Sequence, residues 1–99
     1  MLRMGPARGG NVRLTFVLPA EEPPGRVSVV GDFNNWLPGA HELVRRSNGT
    51  RSLAVTVPEG TSLRFRYLAE GDRWMSETDH PAVQQVGADS LIVAKVSAN

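Results

Sequence analysis

The stretch RSLAVTVPEGTSLRFRY, residues 51–67, decides the fold class. Leu53, Val55 and Val57 alternate with Ser52, Ala54 and Thr56, a period of two that marks a half-buried strand. Pro58-Glu59-Gly60-Thr61 then turns the chain, and Leu63, Phe65 and Tyr67 open a second alternating run. Upstream, Val12, Leu14, Phe16 and Leu18 alternate against Arg13, Thr15 and Val17. Glu21-Glu22-Pro23-Pro24-Gly25 is a turn, since two prolines cannot donate to a ladder. Arg26–Gly31 follows as a Val-rich strand, and the loop GDFNNWLPGAHE follows it. Leu43–Arg46 reads as a short strand that ends at Asn48-Gly49, where a type I′ hairpin turn is expected. Glu70-Gly71-Asp72 turns into a brief strand at Arg73–Met75, a long loop covers Ser76–Ser90, and Leu91–Val96 is the last strand.

No segment carries a 3.6-residue period, and no internal repeat or linker interrupts the chain. About seven short strands with frequent turns predict an all-β fold, an antiparallel β-sandwich of immunoglobulin-like type. Residues 1–11 read as a flexible Gly/Pro/Arg lead-in and residues 12–97 as the domain.

The 99 residues suffice for one core. With 40% hydrophobic and 21% charged residues and a net charge of +1, the chain is neither disordered nor a polyelectrolyte. Ten of the eleven basic residues are Arg, and twelve Val stand against one Ile. An Arg bias alone would suit phosphate recognition. Together with Val in place of Ile, it matches the coding bias of a GC-rich genome. The near-zero charge argues against a nucleic-acid footprint. No apolar run is long enough for a bilayer, and MLRMGPARGG lacks the apolar segment of a signal peptide. The chain is therefore read as cytoplasmic, with no membrane partner. The absence of cysteine excludes disulfides, a thiol nucleophile and Cys-based zinc sites.

Little in the chain suits catalysis. Ser76 or Ser90 with His80 and Asp79 or Asp89 supplies the residue types of a triad, but no G-x-S-x-G elbow accompanies them. Asp72, Glu77, Asp79 and His80 share one stretch without calcium-loop spacing, so solvated loop charge is the simpler reading. No phosphate-binding glycine pattern is present, and no cofactor or metal is expected. The sequence reads as non-enzymatic.

The informative residues are the two tryptophans, Trp36 and Trp74, both beside polar turns. One reading makes each ring a cap on the end of a sandwich. The other makes them exposed platforms flanked by Asn, Arg and Asp, which suits a ligand with apolar faces and hydroxyl edges, such as a pyranose.

Val27-Ser28-Val29-Val30-Gly31-Asp32-Phe33-Asn34-Asn35-Trp36 resembles the opening motif of the glycogen-binding modules of carbohydrate-binding module family 48. That family includes the early-set domains of isoamylase-type and branching enzymes and of the AMP-activated protein kinase β subunit. Val57-Pro58-Glu59-Gly60, Phe65-Arg66-Tyr67, Glu70-Gly71-Asp72 with Trp74, and Val86-Gly87 continue the resemblance in order. It covers about residues 12–97. The resemblance implies a sugar platform of Trp36 and Trp74, hydroxyl contacts from Arg66 (Lys in the kinase modules) and an apolar contact from Val86. It also places Asn35, Asp89 and Ser90 at the sugar, whereas Asn34 reads as loop structure. Where those modules carry Thr and Asn after the last-loop glycine, this chain has Ala88, Asp89 and Ser90.

The expected function is α-glucan binding, of glycogen, starch or maltooligosaccharides. The alternative is an early-set scaffold that has lost the sugar and docks on a glycogen-metabolising enzyme or another protein. Single-stranded nucleic acid stacked on the two indoles, with phosphates on Arg64, Arg66 and Arg73, is the third reading.

Overall fold

A computed structural model describes residues 2–96 of the chain. In chain order the strands are β1 (Leu2–Ala7), β2 (Asn11–Pro19), β3 (Val27–Gly31), β4 (Val44–Arg45), β5 (Thr50–Pro58), β6 (Ser62–Ala69), β7 (Arg73–Met75), β8 (Gln84–Val86) and β9 (Asp89–Val93). The two alternating runs of residues 51–67 become β5 and β6, but they belong to different sheets. One sheet has the order β1-β2-β5-β4, the other β3-β6-β9-β8, with β7 also paired to β6. All pairings are antiparallel. The Pro58–Thr61 turn therefore carries the chain across the sandwich. Thr61 N–H closes it on the Pro58 carbonyl at 3.1 Å. The result is an all-β, immunoglobulin-like sandwich.

Register explains why the alternation works. Val12, Leu14 and Phe16 on β2 stand opposite Val57, Val55 and Leu53 on β5, so one face of that sheet is apolar throughout. Facing it are Val27 and Val29 of β3, Leu63, Phe65 and Tyr67 of β6, and Ile92 of β9, all buried. Phe16, Phe65 and Tyr67 form an edge-to-face aromatic centre, with centroids 5.0 to 6.2 Å apart.

Three local expectations are corrected. Residues 2–7 are not a frayed lead-in: they pair with β2 from Leu2↔Phe16 to Ala7↔Asn11, and the Leu2 side chain is buried in the core. The proposed lower and upper limits at Met1 and at residue 97 lie outside the described residues. The Ser76–Ser90 loop contains β8, and the last strand starts at Asp89 and ends at Val93. With β1 and β8 added, the described residues hold nine strands rather than about seven. The Asn48-Gly49 hairpin forms, but only Gly49 has positive φ (81°). Arg46 N–H bonds the Thr50 carbonyl at 2.8 Å around a three-residue loop, which replaces the two-residue type I′ turn.

Candidate functional site

The loop after β3 is assembled residue by residue. A Cβ on Gly31 would strike the Arg64 carbonyl oxygen and sit 2.8 Å from the Phe33 ring, so only glycine permits this approach of loop to β6. Asp32 Oδ1 accepts the Arg64 N–H at 3.3 Å. Phe33 turns inward and stacks on Phe16, centroids 6.2 Å apart and planes 11° apart. Asn34 Oδ1 accepts the Gly31 N–H at 3.0 Å, and its amide donates to the Val29 carbonyl at 3.0 Å. Asn34 is thus a structural residue. Asn35 and Trp36 both take the left-handed conformation, φ 57°, and Trp36 N–H returns to the Gly31 carbonyl at 2.8 Å. The reversal throws the indole outward, where Trp36 is 37% exposed.

Trp74 comes from a different source. It sits on β7 opposite Leu68 of β6, on the outward side of the sheet, and is 48% exposed. The same parity places Arg64 and Arg66 outward between buried Leu63, Phe65 and Tyr67. Val30, paired with Arg66, also belongs to this outer side by alternation. It is fully buried yet outside the central apolar cluster, so the outer face closes over it.

Arg66 joins the pieces. Its guanidinium carbon lies 6.0 Å from the Trp36 ring centre and 5.4 Å from that of Trp74. The two rings are therefore no more than about 11 Å apart, each within cation–π range of one guanidinium. Asp89 fixes that guanidinium: Arg66 Nε donates to Asp89 Oδ1 at 2.6 Å. Asp89 Oδ2 stands 3.4 Å from Arg64 Nε, so one carboxylate is shared by two cations. Val86, 37% exposed, lies directly across the β8–β9 hairpin from Asp89 on the same outer face.

Of the seven residues assigned to a sugar site, Trp36, Trp74, Arg66, Val86 and Asp89 come together on this surface. Asn35 is exposed beside Trp36 at the left-handed reversal. Ser90 does not belong. One residue beyond Asp89 on a strand, it points inward, is fully buried, and its Oγ accepts the Glu77 N–H at 3.0 Å. Arg64 joins this surface without a sugar role in the sequence reading, and its i,i+2 spacing from Arg66 on β6 is the signal that places it there. Asp89 is engaged with two arginines, so its first effect is to orient Arg66.

Of the residues weighed for other chemistry, Glu77 and His80 are engaged in local hydrogen bonds. Glu77 is buried and accepts the Tyr67 hydroxyl at 2.6 Å and the Asp79 N–H at 3.0 Å. Burial first, and then the bond to Glu77, push the Tyr67 hydroxyl well above its ordinary pKa. His80 Nδ1 accepts the Ala82 N–H at 3.0 Å. No group of three or more potential metal ligands occurs among the described residues. No helix among them is long and apolar enough to cross a membrane.

No family model matches the chain. It is similar to an amylopullulanase of Thermoanaerobacter thermohydrosulfuricus, with 24% identity over 94 residues. That similarity takes in 83% of this chain and 6% of the amylopullulanase, so the chain spans a small fraction of that protein's length.

Proposed function

We propose that this domain is a non-catalytic α-glucan-binding module. The all-β fold and the likeness to an amylopullulanase are compatible with a carbohydrate-binding domain. The observation that carries the proposal is the guanidinium of Arg66 held between two exposed indoles. An α-glucan presents C–H faces to the rings and hydroxyl edges between them. Arg66 commits its Nε to Asp89, which leaves the two terminal nitrogens to donate to sugar hydroxyls. Val86 and Asn35 border the platform. Stacking a sugar face on one indole buries about 100 Å² and contributes roughly 2.5 kcal/mol gross at ~25 cal/mol per Å². Two such contacts, less the ordering costs, place Kd in the range of roughly high micromolar to millimolar. In family terms the proposal is a carbohydrate-binding module of family 48, with residues 12–97 as its homologous part and residues 2–7 as an added edge strand.

The test is a titration of amide and indole N–H NMR signals with β-cyclodextrin and maltoheptaose. Saturating, concerted shifts at Trp36, Trp74 and the Arg66 side chain are expected. Flat spectra at millimolar sugar overturn the proposal.

One observation favours a second reading, an early-set domain that supports other protein. The guanidinium that should meet the sugar is already ion-paired, and Asp89 stands where a neutral amide or hydroxyl would serve a sugar better. Under that reading, binding to a protein partner survives excess maltoheptaose. Under the first, maltoheptaose competes it away.

A further inference from the structure

The outer face of the other sheet carries a second feature. Its centre is built from short side chains: Thr15 of β2, with Ala54 and Ser52 of β5. Its rim carries three arginines, Arg3 on β1, Arg13 on β2, and Arg46 just past β4. Short residues flanked by long ones leave a groove of about 320 Å³, at the lower end of the roughly 300–1,000 Å³ of small-molecule clefts.

The charge on this groove is one-sided. Elsewhere most arginines are partnered: Arg45 pairs with Glu21, Arg26 with Glu42, and Arg64 and Arg66 share Asp89, while Arg8 and Arg73 are exposed with no ion pair among the described residues. Arg51 is buried and donates to the carbonyls of Pro23 and Gly25. No carboxylate lines the groove, and no ion pair engages Arg3, Arg13 or Arg46 among the described residues. Arg46 is nonetheless held in place, because its Nε donates to Ser52 Oγ at 2.9 Å and an Nη to the Ser52 carbonyl at 3.3 Å. Register sets the others: Arg3 stands opposite Thr15, and Arg13 is the next outward residue on β2. Guanidinium groups are planar donors whose fork matches phosphate oxygens. The hydroxyls between them are donors and acceptors suited to a polyol, not to a bare ion.

We propose that this groove binds a phosphate monoester of a small polyhydroxylated molecule, the sugar-phosphate class. The phosphoryl dianion meets Arg3, Arg13 and Arg46, and the hydroxyls of the ester meet Thr15 and Ser52. The site lies on the opposite face of the sandwich from the two indoles, so it is independent of glucan binding. Amide and arginine Nε NMR titrations of the full chain with glucose 6-phosphate test it, with inorganic phosphate, glucose and triglutamate as separate probes at constant ionic strength. Glucose 6-phosphate is expected to give saturating shifts at Thr15, Ser52 and Arg46, tighter than inorganic phosphate, with glucose silent. Because the second phosphate pKa is about 6, binding at pH 5 is expected to be about tenfold weaker than at pH 7.5. Arg3→Gln and Arg13→Gln, both exposed, should each weaken it about threefold to tenfold, and Arg73→Gln on the other sheet should not change it. Equal affinity for inorganic phosphate or for triglutamate overturns the proposal, as does binding unchanged by Arg3→Gln and Arg13→Gln together.

Discussion

Trp36 carries a compromise: a bulky side chain on left-handed backbone, which glycine tolerates and a Cβ does not favour. That backbone costs a non-glycine residue about 1–2 kcal/mol. Trp36→Gly is therefore expected to be about 1 kcal/mol more stable than Trp36→Ala in chemical denaturation. Both substitutions should lose maltoheptaose binding at least about tenfold by the area argument. A Gly variant less stable than the Ala variant would contradict the strain assigned here. Trp74→Ala, on regular strand backbone, should lose binding to a similar extent with little change in stability. Tyr67 gives a second residue-scale prediction, since it is the chain's one tyrosine. Its hydroxyl is held protonated in the folded state by burial and by Glu77, so its folded pKa lies above the unfolded value near 10. The stabilisation is fully present below about pH 10 and is lost as pH rises beyond it, because the unfolded chain then releases a proton that the folded chain retains. Absorbance at 295 nm should therefore stay flat past pH 10 and rise only together with loss of the native fluorescence. In Glu77→Gln, which replaces the carboxylate with a neutral amide, that rise should begin at lower pH. Ser90 shows what sequence alone hid at this scale. Once β9 is known to begin at Asp89, strand parity sends Asp89 outward and Ser90 into the core. With residues 76–90 read as one loop, there was no parity to apply.

Elements with both a buried face and regular alternation were legible: β2, β5 and β6 follow from their apolar residues alone. The two that were not are edge strands. β1 contains Gly5 and Pro6 and buries one large side chain completely, so its composition reads as a tail. Pro6 is tolerated because β1 has a partner on one side only, where a missing N–H can face solvent. β8, Gln84–Val86, is exposed throughout, and backbone pairing to β9 defines it, which leaves no hydrophobic signature. The practical consequence lies with β1. Leu2 is 3% exposed in the core cluster, and its removal in Leu2→Ala should cost about 2–4 kcal/mol, read as a lowered denaturation midpoint. Deleting residues 1–7 should destabilise the domain further, since it strips the ladder from β2 as well. A deletion variant as stable as the full chain would return this segment to the status of a tail.

Across the whole molecule the small net charge hides a segregation. The indole face holds Arg64 and Arg66 against a shared Asp89, while the opposite face holds Arg3, Arg13 and Arg46 with no acid among the described residues that line their groove. The two faces should respond differently to salt. A neutral glucan displaces no counterions, so the maltoheptaose Kd is expected to change less than about twofold between 50 and 500 mM NaCl. If the indoles instead stacked nucleic-acid bases, with phosphates on Arg64, Arg66 and Arg73, three contacts at a slope of about −0.7 each would weaken binding about a hundredfold over that range. The comparison needs no variant and leaves the fold untouched. It also separates the two faces in one experiment, because shifts at Thr15 and Ser52 caused by an anion should weaken with salt while those at Trp36 and Trp74 caused by the sugar hold. Steep salt dependence of the indole shifts would mean that Arg66 meets charge and not hydroxyls, and the platform would then have to be reassigned to an anionic ligand.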